Sequence, residues 1–203
     1  MTKIKICGLS REDDVEYVNE ARPDFCGFII NYPKSKRNVS PDTVRRLSSG
    51  LSDGILPVGV FVNENINLVA SLLRDGTLFA CQLHGNEDED YISRLRCVTD
   101  KPIIKAFRVK SRDELDLAAV CTADFVLLDS GAGSGVTFDW SLLSGFPRPY
   151  FLAGGLNEVN IAAALDTLHP YAVDISSGVE TDGVKDRDKI LRAVAAVRKN
   201  NIL

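Results

Sequence analysis

Apolar residues recur along the chain in short runs at a steady interval. The first run, KIKIC at residues 3–7, alternates polar and apolar positions as a half-buried strand does. Eight runs predict strands, at Lys3–Cys7, Asp24–Ile30, Leu56–Asn63, Leu78–Leu83, Ile103–Val109, Phe125–Asp129, Tyr150–Ala153 and Tyr171–Ile175.

Helical patterns fill the gaps between these runs and close the chain. Ser10 and Ser40 are the predicted N-caps of the first two helices, and Pro41 suits the first helical position of the second. Six more helices are predicted at Glu64–Arg74, Asp88–Cys97, Ser111–Val120, Asp139–Leu143, Asn157–Leu168 and Asp186–Lys199.

Strands that alternate with helices, without a long linker, predict one α/β domain over residues 1–203. The alternatives are a (β/α)₈ barrel with short loops and an open doubly wound sheet. No G-x-G-x-x-G follows the first strand, which weakens the dinucleotide-binding form of the open sheet. We therefore predict the TIM barrel, whose active sites lie at the C-terminal ends of the strands.

Composition narrows the class of protein further. The net charge is −4 and no basic stripe is present, so we expect no nucleic-acid partner. The five cysteines are odd in number and form no C-x-x-C pair, which argues against disulfides and a zinc site and for a reducing compartment. The sequence has neither a signal segment nor an apolar stretch of about 20 residues. These features predict a cytoplasmic protein without a membrane partner.

Two glycine- and serine-rich stretches, LAGGLN and DISSGVE, follow the last two predicted strands. Such residues let the backbone approach an anion and present N–H groups to it, and in barrels these two loops frequently hold a phosphate. We predict a phosphate site formed by Gly154, Gly155, Ser177 and Gly178. The alternative is that the same residues only make tight turns.

Cys7 and Asp129 each end a predicted strand. If both ends point inward, a thiol and a carboxyl group meet above the barrel core, and Lys5, on the same strand face as Cys7, could lower the pKa of the thiol. The alternatives are a packed, inert cysteine and an aspartate that caps the SGAG turn.

Other candidates lie in two further loops. The guanidinium of Arg37, in YPKSKRN, suits bidentate binding of a carboxylate, whereas Lys34 and Lys36 fit a solvated loop. His84, in QLHG, is a base, a ligand or a packed residue. With His169 as the only other histidine, a His-rich metal site is excluded, and no cofactor motif is present.

Taken together, KICGL, GFIINYPKSKRNVSP, VGVFVN, QLHG, LLDSGAGSGVTFDW, GGLN and VDISSGVE with GVKD resemble the phosphoribosylanthranilate isomerases of tryptophan biosynthesis. The resemblance runs from Lys3 to about Asp186. It implies that Cys7 is the general base, that Asp129 is the general acid and that Arg37 binds the anthranilate carboxylate. One departure from the family pattern is an extra residue between Phe28 and Tyr32.

The resemblance implies an Amadori rearrangement of N-(5-phosphoribosyl)anthranilate that needs no cofactor and no metal. Asp174, at the end of the last strand, is a candidate for binding a ribose hydroxyl. The implied partner is this small phosphosugar substrate, and the expected state is a monomer or a homodimer. Two alternatives stay open: another phosphosugar barrel enzyme, such as a pentose-phosphate epimerase or an indole-forming synthase, and a non-catalytic protein that binds a phosphometabolite.

Overall fold

In a computed structural model that describes residues 1–129 and 140–201, eight parallel strands form a closed barrel. The first strand pairs with both the second and the last, which closes the sheet and confirms the predicted TIM barrel. Every predicted strand is found, some of them one or two residues shorter. The strands are β1 (Lys3–Cys7), β2 (Phe25–Ile30), β3 (Leu56–Phe61), β4 (Ala80–Leu83), β5 (Ile103–Arg108), β6 (Phe125–Asp129), β7 (Tyr150–Ala153) and β8 (Ala172–Ile175).

Seven α-helices surround the barrel in the described residues, and none of them is long and apolar enough to cross a membrane. The predicted helix at Asp139–Leu143 is only a 3₁₀ turn at Trp140–Leu143, and Asp139 itself lies outside the described residues. The helix predicted at Asn157–Leu168 begins at Ile161, four residues later than predicted. The helices are α1 (Glu12–Ala21), α2 (Pro41–Ser49), α3 (Ile66–Arg74), α4 (Glu89–Arg96), α5 (Arg112–Val120), α6 (Ile161–Thr167) and α7 (Arg187–Asn200).

One of the two predicted N-caps is wrong. Ser40 caps α2 as predicted, because its Oγ accepts the N–H of Thr43 at 3.1 Å. The N-cap of α1 is Arg11 rather than Ser10. The carboxylate of Asp14 accepts the backbone N–H groups of both Ser10 and Arg11 and binds the Arg11 guanidinium, so no serine hydroxyl is needed there.

Three short elements at the C-terminal end of the barrel were not predicted. A two-residue strand, Asn38–Val39, extends the edge of β2, and a 3₁₀ turn, Ser177–Val179, follows β8. A small hairpin, Glu180–Thr181 with Val184–Lys185, comes next. These elements lie in the loops after β2 and β8, the two strands that flank β1.

The interior of the barrel changes in character along its axis. At the N-terminal end it is apolar, where Phe25, Phe125, Phe151 and Tyr171 contact one another. At the C-terminal end it holds buried polar side chains instead. Charge inside a barrel is costly unless it is paired, so this end is where the structure departs from ordinary core packing. These polar side chains are Lys5, Gln82, Lys105 and Asp174.

Candidate active site

A cavity of about 1030 Å³ opens at the C-terminal end of the barrel. All but one of the residues predicted for the site line it: Cys7, Arg37, Asp129, Gly154, Gly155, Asp174 and Ser177. Gly178 is not part of its wall. A Cβ on Gly178 would lie 1.9 Å from the carbonyl oxygen of Leu156, so this glycine allows the loops after β7 and β8 to pack closely.

Beneath Cys7 lies a buried ion pair. The Lys5 side chain is fully buried, and its Nζ donates to Oδ2 of Asp174 at 2.8 Å and to Oε1 of Gln82 at 2.9 Å. A Cβ on Gly27 would lie 2.7 Å from Sγ of Cys7 and 3.0 Å from Nζ of Lys5. The thiol and the ammonium therefore share the space that a glycine on β2 leaves open.

The environment of this pair affects both titrations. Burial alone would lower the pKa of Lys5, but the carboxylate of Asp174 raises it to about 12, so the side chain is charged at neutral pH. Burial raises the pKa of the Cys7 thiol, and Asp174 raises it further, whereas Lys5 and Lys185 lower it. Lys5 thus acts in the predicted direction, but the net pKa of Cys7 is raised rather than lowered.

Asp174 is only half satisfied by this pair. Its Oδ2 accepts from Lys5, while Oδ1 is buried and has no hydrogen-bond partner within the described residues. A buried carboxylate oxygen without a partner is costly, and such an atom at a cavity is a candidate acceptor for a ligand hydroxyl. The geometry therefore supports the predicted contact between Asp174 and a ribose hydroxyl, which stays a prediction.

Asp129 ends β6 and lines the cavity with Cys7. Its backbone is fixed by the ladder, where Asp129 lies opposite Arg108 on one side and Ala153 on the other. Its backbone oxygen also accepts the N–H of Val109 at 2.9 Å. The SGAG turn that Asp129 would cap lies at residues 130–133, outside the described residues. The ladder therefore holds this carboxyl at the rim of the barrel.

Arg37 has a protein partner that the sequence did not indicate. Its Nε and Nη2 donate to the two carboxylate oxygens of Glu180, at 2.5 Å and 2.7 Å. Lys185 donates to the same carboxylate at 2.7 Å. Burial alone would raise the pKa of Glu180, but these hydrogen bonds lower it to about 2. Any carboxylate that Arg37 binds must use its remaining N–H groups.

Two residues at the predicted phosphate site, Ser176 and Lys185, were missed by the sequence reasoning. Gly154 and Gly155 have φ values of 101° and 63°, a region that favours glycine, and both line the cavity beside Ser176 and Ser177. Nζ of the buried Lys185 donates to the carbonyl oxygen of Ser176 at 3.0 Å. A cation therefore lies beside this loop, and GVKD was the sequence signal that could have revealed it.

A third buried lysine stabilises another part of the rim. Nζ of Lys105 donates to the carbonyl oxygen of Gly85 at 2.8 Å and to Oε2 of Glu87 at 3.1 Å. Glu87 in turn accepts the N–H of Asn63 at 2.5 Å and that of Gly85 at 2.8 Å. This pair fixes the loops after β3 and β4. Neither Lys105 nor Glu87 was predicted as a site residue, although both line the cavity.

Comparisons with known proteins agree on one family. The family described as N-(5'phosphoribosyl)anthranilate (PRA) isomerase matches residues 4–196. A relative from Endomicrobium trichonymphae, named N-(5'-phosphoribosyl)anthranilate isomerase, is 50% identical over 98% of this chain and 99% of its own. A relative of the same name from Acetivibrio thermocellus is 41% identical over 98% of this chain and 97% of its own.

Solved structures give the same result. The crystal structure of phosphoribosyl anthranilate isomerase from Thermotoga maritima superposes with a TM-score of 0.88 at 36% identity, covering 98% of this chain and 100% of that one. The crystal structure of a phosphoribosyl anthranilate isomerase in complex with reduced 1-(o-carboxyphenylamino)-1-deoxyribulose 5-phosphate has a TM-score of 0.86 at 35% identity, with the same coverage. The chain belongs to the N-(5'-phosphoribosyl)anthranilate isomerase family.

Proposed function

We propose that this protein converts N-(5-phosphoribosyl)anthranilate to 1-(2-carboxyphenylamino)-1-deoxyribulose 5-phosphate, a step of tryptophan biosynthesis. The observation that carries the proposal is that a thiol and a carboxyl group, Cys7 and Asp129, line one cavity at the C-terminal end of a barrel. A relative that is 50% identical over nearly the full length bears the name of this isomerase. The reaction needs one acid and one base, and this pair supplies both.

The acid step opens the sugar ring. Asp129, as a carboxylic acid, gives its proton to the ring oxygen while the bond between that oxygen and C1 breaks. The lone pair of the anilino nitrogen forms a C1–N double bond, so the product of this step is an iminium ion with a free hydroxyl at C4. General acid catalysis suits this step because the leaving alkoxide is far too basic to depart without a proton.

The base step moves a hydrogen from C2. Cys7, as a thiolate, takes the C2 proton, and the electrons of that bond form an enolamine while the iminium nitrogen becomes neutral. The enol then tautomerises to the C2 ketone and C1 gains a proton, so the substrate and product are isomers. Lys5 stabilises the thiolate electrostatically, and without this cation the buried thiolate would form still less readily.

The remaining cavity residues hold the substrate in this proposal. The phosphate binds the backbone of the loops that carry Gly154, Gly155 and Ser177, with Lys185 as the nearby cation. The free N–H groups of Arg37 bind the anthranilate carboxylate, and Oδ1 of Asp174 accepts a hydroxyl of the sugar. In this proposal both charged ends of the substrate bind at the rim of the cavity that Cys7 and Asp129 line.

The direct test is to follow the loss of anthranilate-ribosyl fluorescence with purified protein, with and without a chelator. Turnover that survives the chelator supports the proposed acid–base mechanism, whereas activity that returns only with a divalent ion contradicts it. Turnover of ribulose 5-phosphate in place of phosphoribosylanthranilate would indicate a pentose-phosphate epimerase. Binding of phosphoribosylanthranilate without turnover would indicate a non-catalytic binding protein.

We also propose that the protein is cytoplasmic and binds neither nucleic acid nor membrane, and that it is a monomer or a homodimer. One solved relative, at 35% identity and a TM-score of 0.86, is named a dimeric phosphoribosylanthranilate isomerase from Thermotoga maritima that was converted to monomers. Sedimentation velocity at micromolar concentration distinguishes the two states for this chain.

A further inference from the structure

A chain of hydrogen bonds connects the buried ion pair to His84. Lys5 donates to Oε1 of Gln82 at 2.9 Å, and Nε2 of the same side chain lies 3.0 Å from Nδ1 of His84. Gln82 is 1% exposed, so its amide has no access to bulk water. These hydrogen bonds cross the barrel from Asp174 on β8, through Lys5 on β1 and Gln82 on β4, to His84 in the loop that follows β4.

The hydrogen bonds to Lys5 and His84 allow only one orientation of the Gln82 amide. A lysine ammonium has donors and no acceptor, so Gln82 must present its oxygen to Lys5 and its NH₂ group to His84. The NH₂ group can only donate, so Nδ1 of His84 must accept and cannot carry a proton. A neutral imidazole with an unprotonated Nδ1 carries its proton on Nε2.

The same contact opposes the charged imidazolium, because protonation of Nδ1 would place one donor against another. The charged groups around His84 act in both directions: Asp129 and Asp174 raise its pKa, whereas Lys5 and Lys105 lower it. The His84 side chain is exposed at the cavity, and the loss of water on the protein side of its ring is the largest effect, which lowers the pKa of His84 from its ordinary value. His84 is therefore neutral near pH 7.

His84 lines the catalytic cavity together with Asp129, and the carboxyl group of Asp129 has the largest effect of the charges that act on its ring. Since Nδ1 is engaged by Gln82, any hydrogen bond that His84 gives to the cavity comes from Nε2. A fixed N–H donor beside the proposed acid suits an oxygen of the sugar, which gains or shares negative charge as the ring opens.

We propose that His84 is a neutral hydrogen-bond donor to the sugar of the substrate through Nε2–H, and that Gln82, aligned by Lys5, fixes this tautomer. The part that concerns the substrate rests on the proposed function. The tautomer is a property of the free protein. Of the roles that the sequence left open for His84, this assignment excludes the general base, because an Nε2 that already carries a proton cannot accept one.

The tautomer is tested by ¹⁵N NMR of the imidazole rings. His169 is exposed and far along the chain from the site, so a His169→Asn background leaves His84 as the only histidine. We expect Nδ1 to resonate as an unprotonated nitrogen and Nε2 as a protonated one at pH 7. An Nδ1–H tautomer or an imidazolium at this pH would overturn the assignment.

Gln82→Met, which keeps the side-chain length and removes the donor, should give a mixture of the two tautomers. A Gln82→Met spectrum that still shows only the Nε2–H form would show that Gln82 does not set the tautomer. Addition of reduced 1-(o-carboxyphenylamino)-1-deoxyribulose 5-phosphate, the analogue bound to a relative, should move the Nε2–H proton downfield. An unchanged Nε2–H signal at saturation would contradict contact with the sugar.

Kinetics provides a second, independent readout. His84→Leu removes the donor and should lower kcat/KM by about 10- to 100-fold, mostly in kcat. His84→Gln places an amide N–H near the position of Nε2 and should stay within about fivefold of the wild type. Equal losses in both variants, or no loss in His84→Leu, would overturn the proposal. A wild-type protein without any turnover would instead refute the proposed function. The NMR experiment would still test the tautomer of His84, which is a property of the free protein.

Discussion

Two ion-pair clusters flank Cys7, and they differ in how completely their carboxylates are satisfied. In the pair inside the barrel, Lys5 binds one oxygen of Asp174, and the other oxygen has no partner within the described residues. In the cluster between the loops after β2 and β8, Glu180 is bound through both oxygens by Arg37 and also by Lys185.

This difference separates two uses of buried charge. Both oxygens of the Glu180 carboxylate are bound by cations of the protein, so its effect is to position Arg37 and to hold two loops together. The half-satisfied Asp174 keeps an acceptor oxygen, which we propose binds a hydroxyl of the sugar, and its lysine also lies beside the Cys7 thiol. Charge that is left incompletely paired at a cavity is where we expect chemistry.

The largest expected effect concerns Cys7. Cys7→Ser should lower turnover by more than about 1,000-fold, because a serine hydroxyl is hardly ionised near neutral pH and cannot replace a thiolate base. Cys26→Ala is the matched control, since Cys26 is a buried thiol of the neighbouring strand that packs into the core. Its kcat should stay near wild type. Wild-type turnover in Cys7→Ser would return Cys7 to the role of an inert, packed residue.

Asp129→Asn should cost about 100- to 10,000-fold in kcat, because an amide cannot give a proton to the ring oxygen. Affinity for a plain sugar phosphate, measured by calorimetry, should be unchanged, since the predicted phosphate site belongs to the loops after β7 and β8. A variant that loses phosphate affinity and turnover in parallel would show that Asp129 supports the cavity rather than the reaction.

Arg37→Ala should weaken the binding of anthranilate-bearing ligands by about 2–4 kcal/mol. Inorganic phosphate, which has no aromatic carboxylate, serves as the comparison ligand, and its affinity should barely change. Equal weakening of both ligands would indicate that Arg37 contributes only general positive charge, or that the extra residue before Tyr32 has moved it away from the carboxylate.

Glu180→Gln should lower the free energy of unfolding at pH 7 by about 3 kcal/mol, because it leaves Arg37 and Lys185 without their counter-charge. The pKa of Glu180 in the folded protein, about 2, lies below the ordinary value, so its contribution is present above about pH 4.3 and is lost as the pH falls toward 2. Urea unfolding at pH 7 and pH 3 should therefore show a smaller difference between variant and wild type at pH 3. A difference of equal size at both values would contradict this role.

The sequence was sufficient to predict the barrel and most of the proposed site residues at its rim. The regular spacing of the apolar runs predicted the eight strands. Cys7, Asp129 and Asp174 were predicted at one site because they lie at the C-terminal ends of these strands, and all three line one cavity. These features depend on local patterns and on the rule that parallel strands end at the same side. The ends of the helices depend on single side chains. At the start of α1, for example, the carboxylate of Asp14 accepts the backbone N–H groups, a role that was predicted for the hydroxyl of Ser10.

Partners of charged groups could not be predicted in the same way. Arg37 and Glu180 are 143 positions apart, and no local pattern identifies such a pair. The effect of Asp174 on the pKa of Cys7 was missed for a related reason. The sequence places Lys5 on the same strand face, but Asp174 comes from β8 and opposes its effect on the thiol. Burial and long-range neighbours become visible only once the strands are assembled.

The smallest expected change is in the titration of Cys7 when Lys5 is removed. Lys5→Met takes away the cation that lowers the pKa of the thiol and leaves Asp174 unpaired, so the thiol should titrate at a higher pH than in the wild type. Lys105→Met is the matched control, because Lys105 is a buried lysine of the same cavity that pairs with Glu87 instead. The Cys7 titration should not move in that control.

The measurement that tests the central claim most directly is the pH dependence of Cys7 alkylation by iodoacetamide, followed on the Cys7 peptide by mass spectrometry. It is compared with the bell-shaped pH profile of kcat/KM, which reports the free enzyme. Because burial raises the pKa of Cys7, we predict an alkylation midpoint above the ordinary thiol value. The same midpoint should mark one limb of the profile, and both should move upward together in Lys5→Met. An alkylation midpoint at a pH where kcat/KM is flat would show that ionisation of Cys7 does not govern turnover.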